Sequence, residues 1–323
     1  MHLPAISSAG ALLIALIFAT EAPPAGATRA TQAPALLSET GFFADLKRHV
    51  VADDFTAYSV NVGAWADGAS KLRFIRIPEG KTAAYRERGS WAFPDGTVLM
   101  QTIVMPMGSL RRRVETRIID IVDGKPTFRT YVWRADQSDA DLRTRGAEID
   151  LEWDEGFVLW KVTPTGKCKQ CHEHEAQPLL GMTTEQLNVD DQIQRWSRAG
   201  LLSGMPGNTA DLPRLLDPTD NALPLEKRAR SYLAANCSPC HQPGGNGSGL
   251  LDLRWATPPA ETGLAKKNDV LIKGRPSLSW IYLRLVYDGR RKMPGVLTSH
   301  EDEKGAQLLW NWIKSLDQTG GER

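Results

Sequence analysis

Cysteine and histidine are scarce in this chain, at four and six residues in 323. Net charge is scarcer still: 39 basic and 38 acidic side chains are interspersed and leave a formal +1, which gives none of the basic patch or stripe of a nucleic-acid binder. Residues of about 55 to 163 contain no Cys and no Ser-His-Asp, H-E-x-x-H or phosphate-loop pattern, so nothing there points to hydrolysis or nucleotide chemistry. The histidine nearest that stretch, His49, reads as a solvated surface residue rather than a ligand. Near the N-terminus the apolar run Leu12 to Ala19 (L-L-I-A-L-I-F-A) is too short to span a bilayer, and the small-residue site Ala25 to Ala27 (A-G-A) follows it. The pair reads as a secretory signal peptide. The leading M-H-L-P lacks the usual Lys or Arg, which keeps an uncleaved anchor as the alternative. The expected location is the periplasm, with no integral span in the mature chain, which is long enough for a large core and more than one domain.

What the chain does have is a pattern in those few cysteines. All four lie in two stretches, C-K-Q-C-H from Cys168 to His172 and C-S-P-C-H from Cys237 to His241. In an exported protein an even cysteine count ordinarily means disulfides, so two local bridges, or one zinc site built from both pairs, are the plain alternatives. The histidines weigh against both. At 6 His in 323 residues, a His follows a given pair by chance about 2% of the time, and two such coincidences come to about 0.04%. C-x-x-C-H attaches haem c: on a helical turn the two thiols share a face and form thioethers to the vinyl groups, while the adjacent imidazole ligates the iron. Two covalent haem c groups are therefore expected, at Cys168/Cys171 and Cys237/Cys240, with His172 and His241 as iron ligands.

Each iron then needs a second ligand or an open position. Met293 follows His241 by 52 residues, in the loop D-G-R-R-K-M-P-G after an expected helix from Ser277. Attachment motif, connecting helix, Met-Pro loop and terminal helix are the parts of a class I cytochrome c domain. The flanking helices agree, with Leu225, Ala229, Tyr232 and Leu233 on one face of the first, and Leu309, Trp312, Ile313 and Leu316 on one face of the last. Thr298 and Glu301 are spaced as a capping box for that last helix. For the first iron, Met205 is preferred to Met182, because Met205-Pro206-Gly207 repeats the Met293-Pro294-Gly295 triplet and Pro-Gly holds a rigid turn. An open sixth position is the other choice. His174 follows His172 too closely to reach the same iron and reads as a solvated polar residue. A helix-like stretch, D-D-Q-I-Q-R-W-S-R-A-G-L-L, lies between the motifs.

Upstream of Pro164 the period changes to two. A-E-I-D-L-E-W places Ile149, Leu151 and Trp153 on one face, then D-E-G turns the chain into F-V-L-W-K-V. A second hairpin is expected over R-I-I-D-I-V, D-G-K-P and T-F-R-T-Y-V-W, with earlier strands at K-L-R-F-I-R-I and T-V-L-M-Q-T-I-V-M and a short helix at G-F-F-A-D-L. The expected fold is multidomain: an N-terminal antiparallel β sandwich or barrel, then a mostly α-helical cytochrome c-type region binding two haems. The segments are 1–27 as signal peptide, 28–163 as β-rich domain, 164–223 as first haem segment and 224–317 as class I cytochrome c-like domain.

Taken together, the chain resembles the periplasmic diheme c-type cytochromes with an N-terminal β-rich domain and both haem motifs in the C-terminal half. The resemblance is carried by L-S-E-T-G-F-F-A-D-L, Y-S-V-N-V-G-A-W-A-D-G-A-S-K-L-R-F-I-R-I-P-E-G, W-A-F-P-D-G-T-V-L-M-Q-T, Y-V-W-R-A-D-Q-S-D-A-D-L, G-K-C-K-Q-C-H, R-W-S-R-A-G-L-L and A-R-S-Y-L-A-A-N-C-S-P-C-H-Q-P-G-G. It implies haem at both cysteine pairs, with His172 and His241 proximal, and little about reaction. Arg275 stands where an acid is common and inherits no role. Electron transfer with a redox protein partner is the expected function. The alternatives are a haem enzyme, peroxidase-like or an oxidase, with an open first iron, and an electron-accepting subunit of a periplasmic dehydrogenase. The motifs lie only 69 residues apart, which argues against the diheme peroxidases, whose motifs spread over two cytochrome-like domains. The run Arg290, Arg291, Lys292 before Met293 is the candidate docking patch, a solvated loop being its plain alternative.

Overall fold

The computed structural model describes residues 33–316 except 154–155, 173–178, 248–249, 266–268, 288, 290 and 296–297, with the backbone alone at 152, 153 and 156–158. The signal-peptide segment, His174, Arg290 and the side chain of Trp153 lie outside the described residues.

A 3-10 turn at Leu37–Thr40 is the first described element, followed by the antiparallel pair β1 (Phe43–Asp45) and β2 (Val50–Val51). The helix expected over G-F-F-A-D-L is thus a strand. Six residues make a poor helix nucleus, and burial of Phe42 against Phe55 at 5.3 Å fixes an extended backbone instead. Next come β3 (Thr56–Ala57), β4 (Ser70–Arg76), β5 (Ala83–Ala84), β6 (Val98–Met107), β7 (Leu110–Val122), β8 (Lys125–Trp133) and β9 (Ala140–Leu142). All but β5 form one antiparallel sheet in the order β3-β4-β6-β7-β8-β9. The hairpin between β7 and β8 turns at Asp123 and Gly124, both at positive φ (51° and 70°), as a D-G turn requires. The hairpin β10 (Ala147–Trp153) and β11 (Gly156–Val162) lies over one face: Leu151, Trp160 and Val162 pack on Ile103, Met105 and Val114.

The expected fold class does not hold. The strands form an open sheet with edges at β3 and β9, not a sandwich or barrel. The chain after residue 163 is not mostly helical either. It forms α1 (Thr165–His172), α2 (Thr184–Leu187), α3 (Gln192–Arg198), the two-residue β12 (Leu202–Ser203) paired to β5, α4 (Leu225–Asn236), α5 (Trp280–Val286) and α6 (Glu303–Ser315). Among the described residues, four of the six helices run eight residues or fewer. Only the stretches of α4 and α6 carry a sustained apolar stripe, and the segments between them are broken by Pro and Gly, so two good helices do not make a helical domain. Among the described residues no helix is long and apolar enough to cross a membrane.

Residues from Pro34 onward make one compact unit. The segment joining β3 to β4 explains why. Its Ser59 and Val62 amides donate to the side chains of Gln192 and Gln186, Asn61 donates to the Glu185 and Asn188 carbonyls, and the Trp65 amide donates to Asn236. The buried Asp67 carboxylate accepts from the Ser299 and His300 amides at 2.8–2.9 Å. Two apolar clusters cover the two sheet faces: Val98, Met100, Ile118, Tyr131 and Trp133 beneath Phe42 and Phe55, and Ile75, Leu99 and Ile121 against Leu187, Ile193 and Trp196 of α2 and α3. A third joins α4 to α6 through Ala229, Tyr232, Leu233, Leu309, Trp312 and Ile313, the faces expected from the spacing. The cap of α6 is the Asp302 carboxylate, which accepts from the Gly305 amide at 2.9 Å; Thr298 bonds the Pro294 carbonyl instead.

Candidate functional site

Helix α1 carries the first motif. Cys168, Cys171 and His172 stand at i, i+3 and i+4, so they share a face. That face looks back at the sheet, with the His172 ring 5.1 Å from that of Phe128 on β8. The second motif directly follows α4 as a single helical turn: the amides of Cys240 and His241 both donate to the Cys237 carbonyl, at 3.1 and 2.9 Å. Cys237, Cys240 and His241 therefore have the same relative placement as the first trio. Burial, then the Arg284 charge, lowers the His241 pKa, and its Nδ1 is buried with no hydrogen-bond partner among the described residues. Gly247 presses on this turn. A Cβ there would come within 2.7 Å of both His241 Nδ1 and the Cys240 carbonyl.

The two motifs touch. Cys171 Sγ lies 3.5 Å from Cys240 Sγ, and Asn246 of the second motif's loop donates to the Gln170 carbonyl at 2.6 Å. Of the two facing thiols, Cys171 holds its proton, while the contact with Cys171 lowers Cys240 to about 7. Burial pushes Cys237 up to about 12. All four thiols are free, so neither local bridge forms, and no three His, Cys, Asp or Glu side chains among the described residues gather as a metal site. The zinc alternative thus lacks an assembled ligand set.

Cys168, Cys171 and His172 open onto a cavity of about 510 Å³ between α1, the inner sheet face and the end of α4, where Ala235, Ser238 and Pro239 line it. A volume in that range suits a cofactor-sized ligand. Paired thiols on one helical face, an adjacent imidazole and a cavity beginning at them are what a covalently held haem requires, and the first motif meets all three. The second offers the thiols and a half-buried imidazole whose Nδ1 has no partner among the described residues.

Met293 is half-buried and its amide donates to the Arg284 carbonyl at 2.8 Å. The Arg284 side chain is also the charge that acts on His241. Met205 packs instead against the α2–α3 core, where Met182 is buried as well, and neither lines the cavity. His49 is not a surface residue. Its Nε2 meets Thr102 Oγ1 at 2.9 Å, and burial, then Arg113, lowers its pKa to about 4.

Sequence reasoning passed over the opposite wall. The sheet contributes Lys71 and Arg73 of β4, Gln101 of β6, Arg117 of β7 and Thr130 of β8. The Arg117 guanidinium meets Glu115 at 2.5 Å, and the fully buried Glu115 also accepts from Trp160 Nε1. Burial lowers the Lys71 ammonium to about 7, with the Arg73 and Arg117 charges adding to the effect. Tyr58 beside Arg73 is raised to about 12 by burial. One signal was present in the sequence: Gln101 falls between Leu99 and Ile103 on the inward phase of β6. A scan against protein-family models and searches of curated proteins and of solved structures all find no match to this chain.

Proposed function

We propose that the chain is an exported diheme c-type cytochrome that passes electrons to and from a redox protein, with one haem on Cys168 and Cys171 and one on Cys237 and Cys240. The observation that carries this reading is the repeated geometry: both C-x-x-C-H motifs sit on helical turns that set two thiols on one face beside a histidine. A bound haem c supplies a one-electron couple at its iron. The chain's own residues hold and tune it. His241 is kept neutral by burial and by Arg284, and the neutral imidazole is the form that ligates iron. His172 is oriented by Phe128. Met293 would supply a thioether ligand to the haem at the second motif, on a loop whose Met293 amide donates to the Arg284 carbonyl. The 3.5 Å approach of Cys171 to Cys240 brings the two attachment points together, the arrangement needed for electrons to pass between haems within one chain. The apolar run at Leu12 to Ala19 and the A-G-A site support export to the periplasm.

Intact mass tests this. The purified protein should exceed the mass of its bare chain by two haems, and Cys237→Ala with Cys240→Ala should remove one. A mass with no haem, or with zinc in its place, overturns the proposal.

A second reading, a haem enzyme with an open first iron, is favoured by one observation: neither Met182 nor Met205 lines the cavity beside His172. A high-spin ferric signal in the EPR spectrum of the oxidised protein would favour it over the carrier.

A further inference from the structure

The register of the sheet places Arg73 opposite Gln101, Gln101 opposite Arg117, and Arg117 opposite Thr130. These four residues form one row across β4, β6, β7 and β8. Neighbouring strands lie roughly 4.8 Å apart, so successive members are within reach of a single small ligand or of one side arm of a larger one. Lys71 stands two residues from Arg73 and therefore on the same face. All five side chains line the cavity, and all five can donate hydrogen bonds; the two guanidiniums and the ammonium can do nothing else.

Their charges are unequally matched. Around the cavity, Arg117 is paired with Glu115, Arg129 with Asp120 and Arg254 with Asp252. Lys71 and Arg73 have no carboxylate partner among the described residues. The Lys71 ammonium donates to the Ala64 carbonyl at 2.6 Å, and Arg73 reaches the Lys71 carbonyl at 3.3 Å. Two neighbouring cations on one cavity wall, bonded among the described residues only to main-chain oxygens, repel each other and favour an anion beside them. A guanidinium fork beside an ammonium matches a carboxylate in both charge and shape.

We propose that the row Arg73, Gln101, Arg117 and Thr130, with Lys71 beside it, is a carboxylate-binding wall. The carboxylate comes either from the acidic side arms of the haem held at Cys168 and Cys171 or from a free small dicarboxylate in the same cavity. The first source rests on the haem reading, and the second does not. On either, the β sheet is part of the site and not a remote platform.

The test uses the full-length protein, the single variants Arg73→Gln and Arg73→Lys, and the double variant Lys71→Met with Arg73→Gln. In a redox titration, loss of cations beside haem carboxylates should disfavour the reduced iron. One haem, and not the other, should shift its reduction equilibrium about tenfold in the double variant, which for a one-electron couple is about 59 mV downward. Arg73→Lys, which keeps the charge, should restore most of it. In thermal unfolding, sodium succinate should raise the midpoint of the wild type above that in sodium chloride of equal ionic strength if the ligand is free, and Arg73→Gln should abolish the rise. A potential shift without a succinate effect assigns the wall to the haem, and a succinate effect assigns it to a free anion. Unchanged potentials together with no succinate-specific stabilisation of the wild type overturn the proposal. A protein whose mass shows no haem removes the haem reading alone, since the succinate measurement needs neither haem nor variant.

Discussion

His49 occupies the left-handed region at φ 58°, where a branched or bulky residue is strained, and its ring fits among Phe43, Phe74 and Trp133. Burial and Arg113 lower its pKa from 6.5 to about 4. In the unfolded chain the imidazole takes its proton near pH 6.5, and in the folded chain only near 4. The contribution of His49 is therefore complete above pH 6.5 and is lost progressively as pH falls toward 4. Urea midpoints measured from pH 7 to 4 should fall less steeply for His49→Gln than for the wild type; parallel curves would mean that the ring titrates alike in both states. The residue scale also shows what sequence can reveal. The two C-x-x-C-H motifs were legible because both repeat the same residue types at the same spacing within five positions. Lys71 and Arg73 were not, because a charged residue on the inward phase of a strand looks the same in sequence as one on the outward phase. Only the placement of α1 and α4 makes that face an interior.

At the scale of elements, α4 and α6 meet at Gly305, where an added Cβ would overlap the ring of Tyr232. Tyr232 is buried in the same cluster and has little room to withdraw. Gly305→Ala should thus destabilise by about 1–3 kcal/mol through overpacking, despite the helix propensity that alanine adds. Chemical denaturation reads this directly, and a stabilised variant would show that the crossing can open. The helix faces at this crossing were visible as 3.6-residue periodicity, and the strands as alternation. What failed were short elements. Over G-F-F-A-D-L the tertiary burial of Phe42 outweighs local preference, and at the start of α6 Asp302 caps where Thr298 was expected, because the real first turn begins later.

Across the whole molecule, the run before Met293 ends in an exposed Arg291 and a Lys292 whose ammonium donates to the Ser299 carbonyl at 3.0 Å. If a redox partner is steered to this loop, its reaction rate should fall steeply with salt, since exposed charges are screened over about 8 Å at physiological ionic strength. Charge reversal at Arg290 and Arg291 should flatten that slope in stopped-flow reduction by an acidic partner and leave the potentials in place. Equal slopes would move the docking face elsewhere. The period changes near residue 164, and the residues around Ser59 to Asp67 bond across that point through polar groups whose partners no local pattern announces.

Asp67 shows what that connectivity means for a chain that emerges from its N-terminus. Its partners, Ser299 and His300, are 232 and 233 residues downstream. While the chain is being made, the sheet strands are complete long before this carboxylate has anything to accept from. Closing a loop of that span is slow and comes late. A chain stopped short of residue 300 keeps every strand and both cysteine pairs, yet leaves a buried acid without donors and the segment from Ser59 without its final anchor. The segment at Ser299 and His300 thus acts as a completeness check on the loop from Ser59 to Asp67.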